Sequence, residues 1–271
     1  MQVIIAEKPS VAREIAAIVG ATNRKDGFIE GNGYAVTWAF GHLVGLAMPQ
    51  QYGIAGFRRE NLPILPSSFI LLPRQVREGK EYKADPGVVK QLGILRELFG
   101  MAERIIVATD AGREGELIFR LVYEMAECRK PVLRLWISSM EDSAIREGFS
   151  DLRPGADYEA LYQSALCRQK ADWLVGINAT RLFSVLYHRT LNVGRVQTPT
   201  LAMLAERDAK ITLFHKEKYH LLRLTLDGAE AVSEKFTDPA EAEQAAAMCK
   251  GAAVTCTSVT KEQKKEQPPK L

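Results

Sequence analysis

Two short apolar runs, each ending at acidic residues and followed by a helical pattern, constrain this chain most strongly. Residues 3–6 (Val-Ile-Ile-Ala) lead into Glu7, and residues 105–108 (Ile-Ile-Val-Ala) lead into Asp110 and Glu114. Apolar runs of this length that end at polar residues and lead into helices are typical of strand–loop–helix units. The sequence therefore predicts an α/β fold with a mainly parallel sheet flanked by helices.

The acidic residues after these runs are candidates for a metal site. Sheets of this class gather functional groups at the carboxyl ends of their strands. Carboxylate oxygens suit Mg²⁺, which commonly also binds phosphate groups. We therefore predict a Mg²⁺ site at Glu7, Asp110 and Glu114 that serves phosphoryl transfer. The alternative is that acids such as Glu7 and Glu116 only cap or stabilise helix N-termini.

Composition limits the class of protein without naming a function. The 271 residues are 46% hydrophobic and 25% charged, which is typical of a globular protein. The net charge of +3 does not by itself demand a nucleic-acid partner. The four cysteines form no C-x-x-C pair, so we expect reduced thiols in a cytoplasmic protein. We find no membrane-spanning run and no signal-peptide pattern, and we expect a monomer without membrane contact.

The sequence changes character along its length. Residues 47–88 are rich in proline and glycine and predict long connecting loops. Ser139 is predicted to cap a helix, and Thr198 is predicted to cap another that begins at Pro199. Alternation after Tyr219 predicts strand, and a further strand is predicted over residues 253–259. A pattern break near residues 151–155 predicts a domain boundary.

Five motifs occur in an order that resembles a known family. They are residues 6–10 (AEKPS), 37–43 (TWAFGHL), 110–116 (DAGREGE), 172–181 (DWLVGINATR) and 194–199 (GRVQTP). This series resembles the N-terminal part of the type IA DNA topoisomerases, most of all the bacterial topoisomerase III branch.

The resemblance implies three domains and a reaction. It implies a Toprim domain over residues 1–152, a helical domain that binds single-stranded DNA over 153–215, and the start of a β-rich arch over 216–271. In this family a tyrosine attacks a DNA phosphate and forms a 5′-phosphotyrosyl link without ATP, and negatively supercoiled DNA is relaxed or decatenated. The implied setting is the bacterial cytoplasm, in association with the nucleoid.

The resemblance also assigns roles to residues. Glu7 would exchange a proton with the 3′-oxygen, and Lys8 would stabilise charge on the phosphoryl oxygens. Asp110 and Glu114 would hold Mg²⁺ with Glu7 nearby. The implied DNA contacts are Phe57, Arg168, Asp172, Trp173, Arg181, Asn192, Val193, Gly194, Arg195, Val196, Gln197 and Thr198.

Some of these contacts have simpler interpretations. Arg168 and Asp172 are four residues apart on a predicted helix, so they could form an ordinary ion pair. Trp173 could belong to the core instead of stacking on a base.

Two features depart from the family pattern. Gly112 stands where the family has a second aspartate, which removes one carboxylate from the predicted metal site. The nucleophilic tyrosine is absent, because the chain contains no Tyr-Pro-Arg, and packing roles are expected for Tyr162 and Tyr219. We therefore expect a fragment that is unable to cleave DNA alone.

Two other functions stay open at this stage. The chain could be a self-sufficient DNA-binding or regulatory module on a Toprim scaffold. It could also be another Toprim enzyme, such as a primase-like polymerase or a nuclease, although the motif at residues 194–199 argues against that.

Overall fold

The computed structural model describes residues 1–79, 81–226, 228–253, 255, 258–261 and 263. Contacts between Cα atoms divide the chain into two compact units, Met1–Ala202 and Met203–Leu271. The domain boundaries predicted at residues 152 and 215 stay predictions.

The described residues form strands, α-helices and short 3-10 helices. The strands are β1 (Gln2–Ala6), β2 (Asn23–Lys25), β3 (Phe28–Gly31), β4 (Tyr34–Trp38), β5 (Val44–Leu46), β6 (Leu71–Pro73), β7 (Gln75–Glu78), β8 (Glu81–Ala84), β9 (Arg104–Ala108), β10 (Val132–Arg134), β11 (Arg153–Pro154), β12 (Arg223–Leu226) and β13 (Ala229–Val232). The α-helices are α1 (Pro9–Val19), α2 (Pro86–Met101), α3 (Arg113–Met125), α4 (Asp142–Ser150), α5 (Glu159–Leu186), α6 (Gln197–Thr212) and α7 (Pro239–Cys249). The 3-10 helices are Pro49–Tyr52, Arg59–Asn61 and Gly155–Tyr158.

A seven-stranded sheet organises the first unit, with strand order β11-β10-β9-β1-β4-β3-β2. The central strand β1 runs parallel to both β4 and β9, and β10 runs parallel to β9. Strands β2, β3 and β11 pair antiparallel at the two sides of the sheet. This arrangement confirms the predicted α/β fold with a mainly parallel sheet.

Helices cover both faces of the sheet, and the side chains of β1 point alternately into the two cores that result. Val3 and Ile5 pack with buried residues of α2, α3 and α5. Ile4 and Ala6 pack on the other face with buried residues of α1 and α4. Burial on both faces explains why this strand is apolar throughout.

The region 47–88 is more regular than the predicted long loops. It contains the β7–β8 hairpin, the strand β6 that pairs with β5, and the start of α2. That part of the prediction was wrong, because short strands in polar sequence leave little periodic signal.

Two predicted helix caps were also wrong. Helix α4 begins at Asp142 with Glu141 at its N-cap, whereas the Ser139 hydroxyl only accepts a hydrogen bond from the Glu141 N–H at 3.2 Å. Helix α6 begins at Gln197, so Thr198 lies inside its first turn. The Thr198 hydroxyl accepts from the Gly194 N–H at 3.0 Å and thereby ties the preceding loop to the helix.

The second unit contains the β12–β13 hairpin and α7, whose N-terminus is capped by Asp238. The described residues within 253–259 form no strand, and residues 254, 256 and 257 of that prediction lie outside the described part. Within the described part of the chain, no helix is long and apolar enough to cross a membrane.

Candidate active site and adjoining cleft

The acidic site is built at the carboxyl ends of two paired parallel strands. Ala6 at the end of β1 lies opposite Ala108 at the end of β9, so the residues that follow emerge side by side. A Glu7 carboxylate oxygen accepts a hydrogen bond from the Asp110 backbone N–H at 3.2 Å. The structure thus brings Glu7 and Asp110 together at one edge of the sheet, which we call the acidic edge. The exposed Lys8 follows directly after Glu7.

Glu114 projects from the first turn of α3 toward the loop after β4. Its carboxylate lies 3.4 Å from Nε2 of His42, and both side chains are exposed to solvent. Glu114 therefore connects the acidic edge to the surface that contains His42.

The carboxylates do not form a closed metal cage as they stand. Among the described residues, no three His, Cys, Asp or Glu side chains are grouped closely enough to hold a metal ion. The predicted Mg²⁺ site at Glu7, Asp110 and Glu114 stays a prediction, with Glu7 bonded to a backbone N–H and Glu114 facing His42. The donors do fit the usual protein site for Mg²⁺, in which one or two carboxylates are joined by substrate phosphate and water.

Gly112 leaves open space at the acidic edge. A Cβ atom added to Gly112 would meet nothing within 4 Å. Its φ of −179° is an extended conformation that any residue adopts. An aspartate at this position would therefore fit without strain.

Gly115 is required by a close approach of the backbone. A Cβ atom there would lie 2.1 Å from the carbonyl oxygen of Asp110. The Thr109 hydroxyl adds a hydrogen bond of 2.7 Å to the Gly115 carbonyl. The start of α3 is thereby pressed against the backbone that carries Asp110.

Arg134 supports the acidic edge from beneath, and the sequence reasoning missed it. Its side chain is fully buried, and it donates to the carbonyl oxygens of Asp110 at 2.7 Å and Val107 at 2.9 Å. Its Nε lies 3.3 Å from Oε2 of the buried Glu116. Burial lowers the pKa of Arg134, and the nearby Glu116 charge opposes that shift. A buried arginine inside a strand-like run carries no sequence signal that separates it from an exposed one.

Glu116 also joins this network to α5. Its other oxygen accepts from Nε of Arg120 at 2.9 Å, and Arg120 donates to the Gly155 carbonyl at 2.8 Å. Arg120 further pairs with Glu159 at 3.3 Å. The interpretation of Glu116 as a helix-start acid was therefore incomplete, because its carboxylate bridges two arginines.

Three residues of the motif at 172–181 bind the backbone of the segment 47–64. The Trp173 indole N–H donates to the Ala47 carbonyl at 2.9 Å, and Arg181 donates to the Gly56 carbonyl at 2.8 Å. The Asn178 amide bonds both backbone groups of Ile64, at 2.6 and 3.0 Å. Helix α5 thus holds this segment in place.

Trp173 was expected to face a DNA base and Arg181 a phosphate, whereas in the structure both side chains contact the protein. The Trp173 ring meets the rings of Tyr52 and Phe69 edge-on, with centroids 6.1 and 5.4 Å away. Arg181 is only 3% exposed and lies over the Phe57 ring, and burial lowers its pKa. Both side chains therefore have protein partners, and the predicted base stacking and phosphate contact stay predictions.

The other predicted DNA-binding residues lie on or beside the loop 190–196. Asp172 lies 3.8 Å from Arg168, as the predicted ion pair requires, and it also accepts a hydrogen bond from Arg195. Asp172 therefore pairs with two arginines. The Arg195 hydrogen bond lowers the pKa of Asp172. Val193 is anchored to the Thr180 hydroxyl by its N–H at 2.9 Å. Asn192, Arg195, Val196, Gln197 and Thr198 are exposed.

A cleft of about 960 Å³ opens next to the acidic edge in the first unit. Its lining brings together three of the predicted DNA-binding residues, Phe57, Arg181 and Asn192. It also includes His42, which reaches Glu114, and among the described residues none that lines it is acidic. Arg168, Asp172, Trp173 and residues 193–198 lie outside the lining. The cleft is therefore a neutral-to-basic groove with aromatic walls beside a group of carboxylates.

Comparisons with known proteins agree with this arrangement. The family model described as "Toprim domain" matches residues 2–140. The family model described as "DNA topoisomerase" matches residues 156–271.

Individual relatives carry related names. The chain is 46% identical to "DNA topoisomerase 3" of Bacillus subtilis over 228 residues, which is 83% of this chain and 30% of that protein. It is 40% identical to "DNA topoisomerase 3" of Shouchella clausii over 278 residues, which is 99% of this chain and 37% of that protein. A solved structure of full-length topoisomerase I from Thermotoga maritima matches 90% of this chain and 37% of its own, with a TM-score of 0.58 and 25% identity. The chain thus spans about a third of the length of the relatives it matches.

Proposed function

The chain belongs to the Toprim family, and from this membership and the match of residues 156–271 to the DNA topoisomerase model we propose that it forms the Toprim-bearing part of a bacterial type IA topoisomerase, topoisomerase III. The whole protein would cleave and religate single-stranded DNA through a 5′-phosphotyrosyl intermediate, without ATP. It would thereby relax or decatenate negatively supercoiled DNA in the bacterial cytoplasm, in association with the nucleoid, and act as a monomer.

The observation that carries this proposal is the junction between the acidic edge and the cleft. His42 lines the cleft and lies 3.4 Å from Glu114, so the two features adjoin. Aromatic side chains and basic groups in a groove bind single strands by base stacking and phosphate contact. A strand held in this cleft would bring its backbone to the carboxylates of Glu7, Asp110 and Glu114.

The acidic edge offers groups suited to phosphoryl transfer. Glu7 would give or take the proton of the 3′-oxygen of the cleaved strand. Lys8, directly after Glu7, would stabilise the charge that develops on the phosphoryl oxygens. Arg134 bonds the Asp110 carbonyl and Gly115 packs against it, so the Asp110 backbone beside Glu7 is held in place.

Asp110 and Glu114 would hold Mg²⁺, with Glu7 beside them. The ion would supply positive charge that offsets the charge of the DNA phosphate. Since Gly112 contributes no ligand, phosphate and water would provide most of the coordination.

A DNA-binding module without catalysis is the second candidate. The cleft favours it, because its basic and aromatic lining residues can bind DNA without any catalytic group. A nuclease or primase-like polymerase has less support, because the DNA topoisomerase family model matches residues 156–271.

Equilibrium binding to fluorescent oligonucleotides tests the proposal. The chain should bind a single strand more tightly than the duplex of the same sequence, because unpaired bases can stack in the cleft. The affinity should fall as salt concentration rises, since phosphate contacts release counterions. Equal affinity for the two forms, or no binding, would contradict the proposal.

The chain alone should leave negatively supercoiled plasmid unchanged in the presence of Mg²⁺. It lacks a tyrosine in a Tyr-Pro-Arg context, so it has no group to form the covalent link. Relaxed topoisomers on a gel would show that another residue acts as the nucleophile.

A further inference from the structure

The β7–β8 hairpin forms one wall of the cleft, although none of the motifs includes it. Gln75 of β7 and Tyr82 of β8 both line the cleft. Arg77 lies directly opposite Tyr82 across the hairpin, and Gln75 lies opposite Ala84. Residues directly opposite in an antiparallel pair share a face, as do residues two apart in one strand. Gln75, Arg77, Tyr82 and Ala84 therefore share one face, of which Gln75 and Tyr82 line the cleft, while Nε of Arg77 donates to the Gly79 carbonyl at 3.1 Å.

The opposite face of the hairpin has a different character. Val76 lies across from Lys83, so these residues share the outer face with Glu78. The ammonium of Lys83 pairs with the Glu78 carboxylate at 2.9 Å. The acidic side chain of Glu78 thus lies on the outer face, while Gln75 and Tyr82 provide an amide and an aromatic group to the cleft and Arg77 shares their face.

Tyr82 is too exposed to have a packing role. Its side chain is 63% exposed, although tyrosine usually buries much of its ring in a folded protein. The cleft lining also contains Phe57 and Arg181, and the Phe57 ring lies under the Arg181 guanidinium, with 5.1 Å from that group to the ring centroid. An exposed ring and a basic-aromatic pair in one cleft are elements that hold unpaired bases and their phosphates.

We infer that the β7–β8 hairpin is a second nucleic-acid-binding element, in which Tyr82 stacks on a base of single-stranded DNA and Arg77 contacts a phosphate. This inference rests on the proposed function and assigns part of its DNA binding to residues outside the recognised motifs. Single-stranded DNA is the occupant because the described lining residues include basic groups for phosphate and exposed rings for unpaired bases. A duplex, whose bases are already stacked, has no unpaired base to offer Tyr82.

Tyr82→Ala tests the stacking contact by fluorescence anisotropy with a labelled single-stranded oligonucleotide. The affinity should fall about tenfold, as expected for the loss of one stacked base, and the dependence on salt should stay unchanged. Tyr82→Phe keeps the ring and should bind like the wild-type chain. Because Tyr82 is exposed, the melting temperature of both variants should equal that of the wild type.

Arg77→Ala tests the phosphate contact against a matched control on the outer face. It should reduce the slope of log affinity against log salt by about 0.7, the value for one phosphate on a single strand. Lys83→Ala removes the same charge from the outer face and should leave this slope unchanged. An equal effect of Arg77→Ala and Lys83→Ala would overturn the assignment of the cleft-facing side.

The outcomes separate this inference from the proposed function. If the wild-type chain binds a single strand and Tyr82→Ala binds equally well, the inference is wrong while the proposed function stands. If the wild-type chain binds no single strand, both are wrong.

Discussion

Gly112 contributes no side chain to the acidic edge, where the Mg²⁺ site is proposed. It stands between Asp110 and Glu114, where an added side chain would enter open space. The missing carboxylate could be predicted from the sequence through the resemblance alone, because Gly112 stands where the family has an aspartate. The sequence could not predict that Glu114 faces His42 or that Glu7 is bonded to the Asp110 N–H, since both contacts depend on loops brought together by the sheet.

Gly112→Asp should bind Mg²⁺ more tightly than the wild-type chain, because it adds a carboxylate to a site for a hard cation. We expect a gain of about tenfold, or about 1.4 kcal/mol, in isothermal titration calorimetry. Gly112→Asn has a similar size without the charge and should give a smaller gain. Unchanged affinity in Gly112→Asp would mean that position 112 does not face the metal.

Arg134 is the residue whose role was hardest to predict from sequence. Arginine is rarely buried unless it is paired, and nothing in the run 132–137 marks this one as buried. Its contacts to Asp110, Val107 and Glu116 are visible only once β9, β10 and α3 are assembled.

Arg134→Met should destabilise the fold by about 3–5 kcal/mol, because it leaves Glu116 buried with only one of its two arginines. Urea unfolding followed by circular dichroism would measure this loss. The double variant Arg134→Met/Glu116→Leu removes both buried charges and should recover part of the stability. A loss below about 1 kcal/mol in the single variant would show that the network contributes little.

At the scale of elements, α5 joins the sheet to the cleft. Its N-terminal part meets α3 through Tyr162 and Glu159, and its middle holds the segment 47–64 through Trp173, Asn178 and Arg181. The helix itself was predictable, because residues 157–189 contain few helix breakers. Its contacts were not, because 47–64 is distant in sequence and irregular in structure.

Trp173→Ala should lower the melting temperature clearly, since Trp173 packs against Tyr52 and Phe69 and bonds to Ala47. We expect a loss of about 2–4 kcal/mol, somewhat less than for a fully buried tryptophan. Trp173→Phe keeps an aromatic ring and should lose less. An unchanged melting temperature together with weaker single-strand binding would instead support the base-stacking role.

Tyr162 should make the α3–α5 contact sensitive to alkaline pH. Burial, and then the nearby Glu124 carboxylate, raise the pKa of Tyr162 to about 12 from an ordinary value of 10.0. The unfolded chain therefore loses this proton first, so stability is complete below pH 10 and falls as the pH rises toward 12. Tyr162→Phe has no proton to lose, and its stability should fall less than that of the wild type across this window. Parallel pH profiles of the two proteins in urea unfolding would contradict the assignment.

At the scale of the whole molecule, periodicity identified the sheet and the order of motifs identified the family. The runs that form β1 and β9 were predictable because strands buried on both faces are apolar throughout. The β7–β8 hairpin was missed because its residues are mostly polar and its two strands pair at only four positions. The cleft was missed for a related reason, since its walls come from segments separated by about a hundred residues.

The most direct test of the central claim is a chimera in which this chain replaces the matching part of the Bacillus subtilis relative, to which it is 46% identical. Its activity would be measured as relaxation of negatively supercoiled plasmid on a gel. The account predicts Mg²⁺-dependent relaxation by the chimera and its loss in the Glu7→Gln variant, with single-strand binding kept. A folded chimera that binds single-stranded DNA but relaxes no plasmid, or a Glu7→Gln variant that relaxes it normally, would contradict the account.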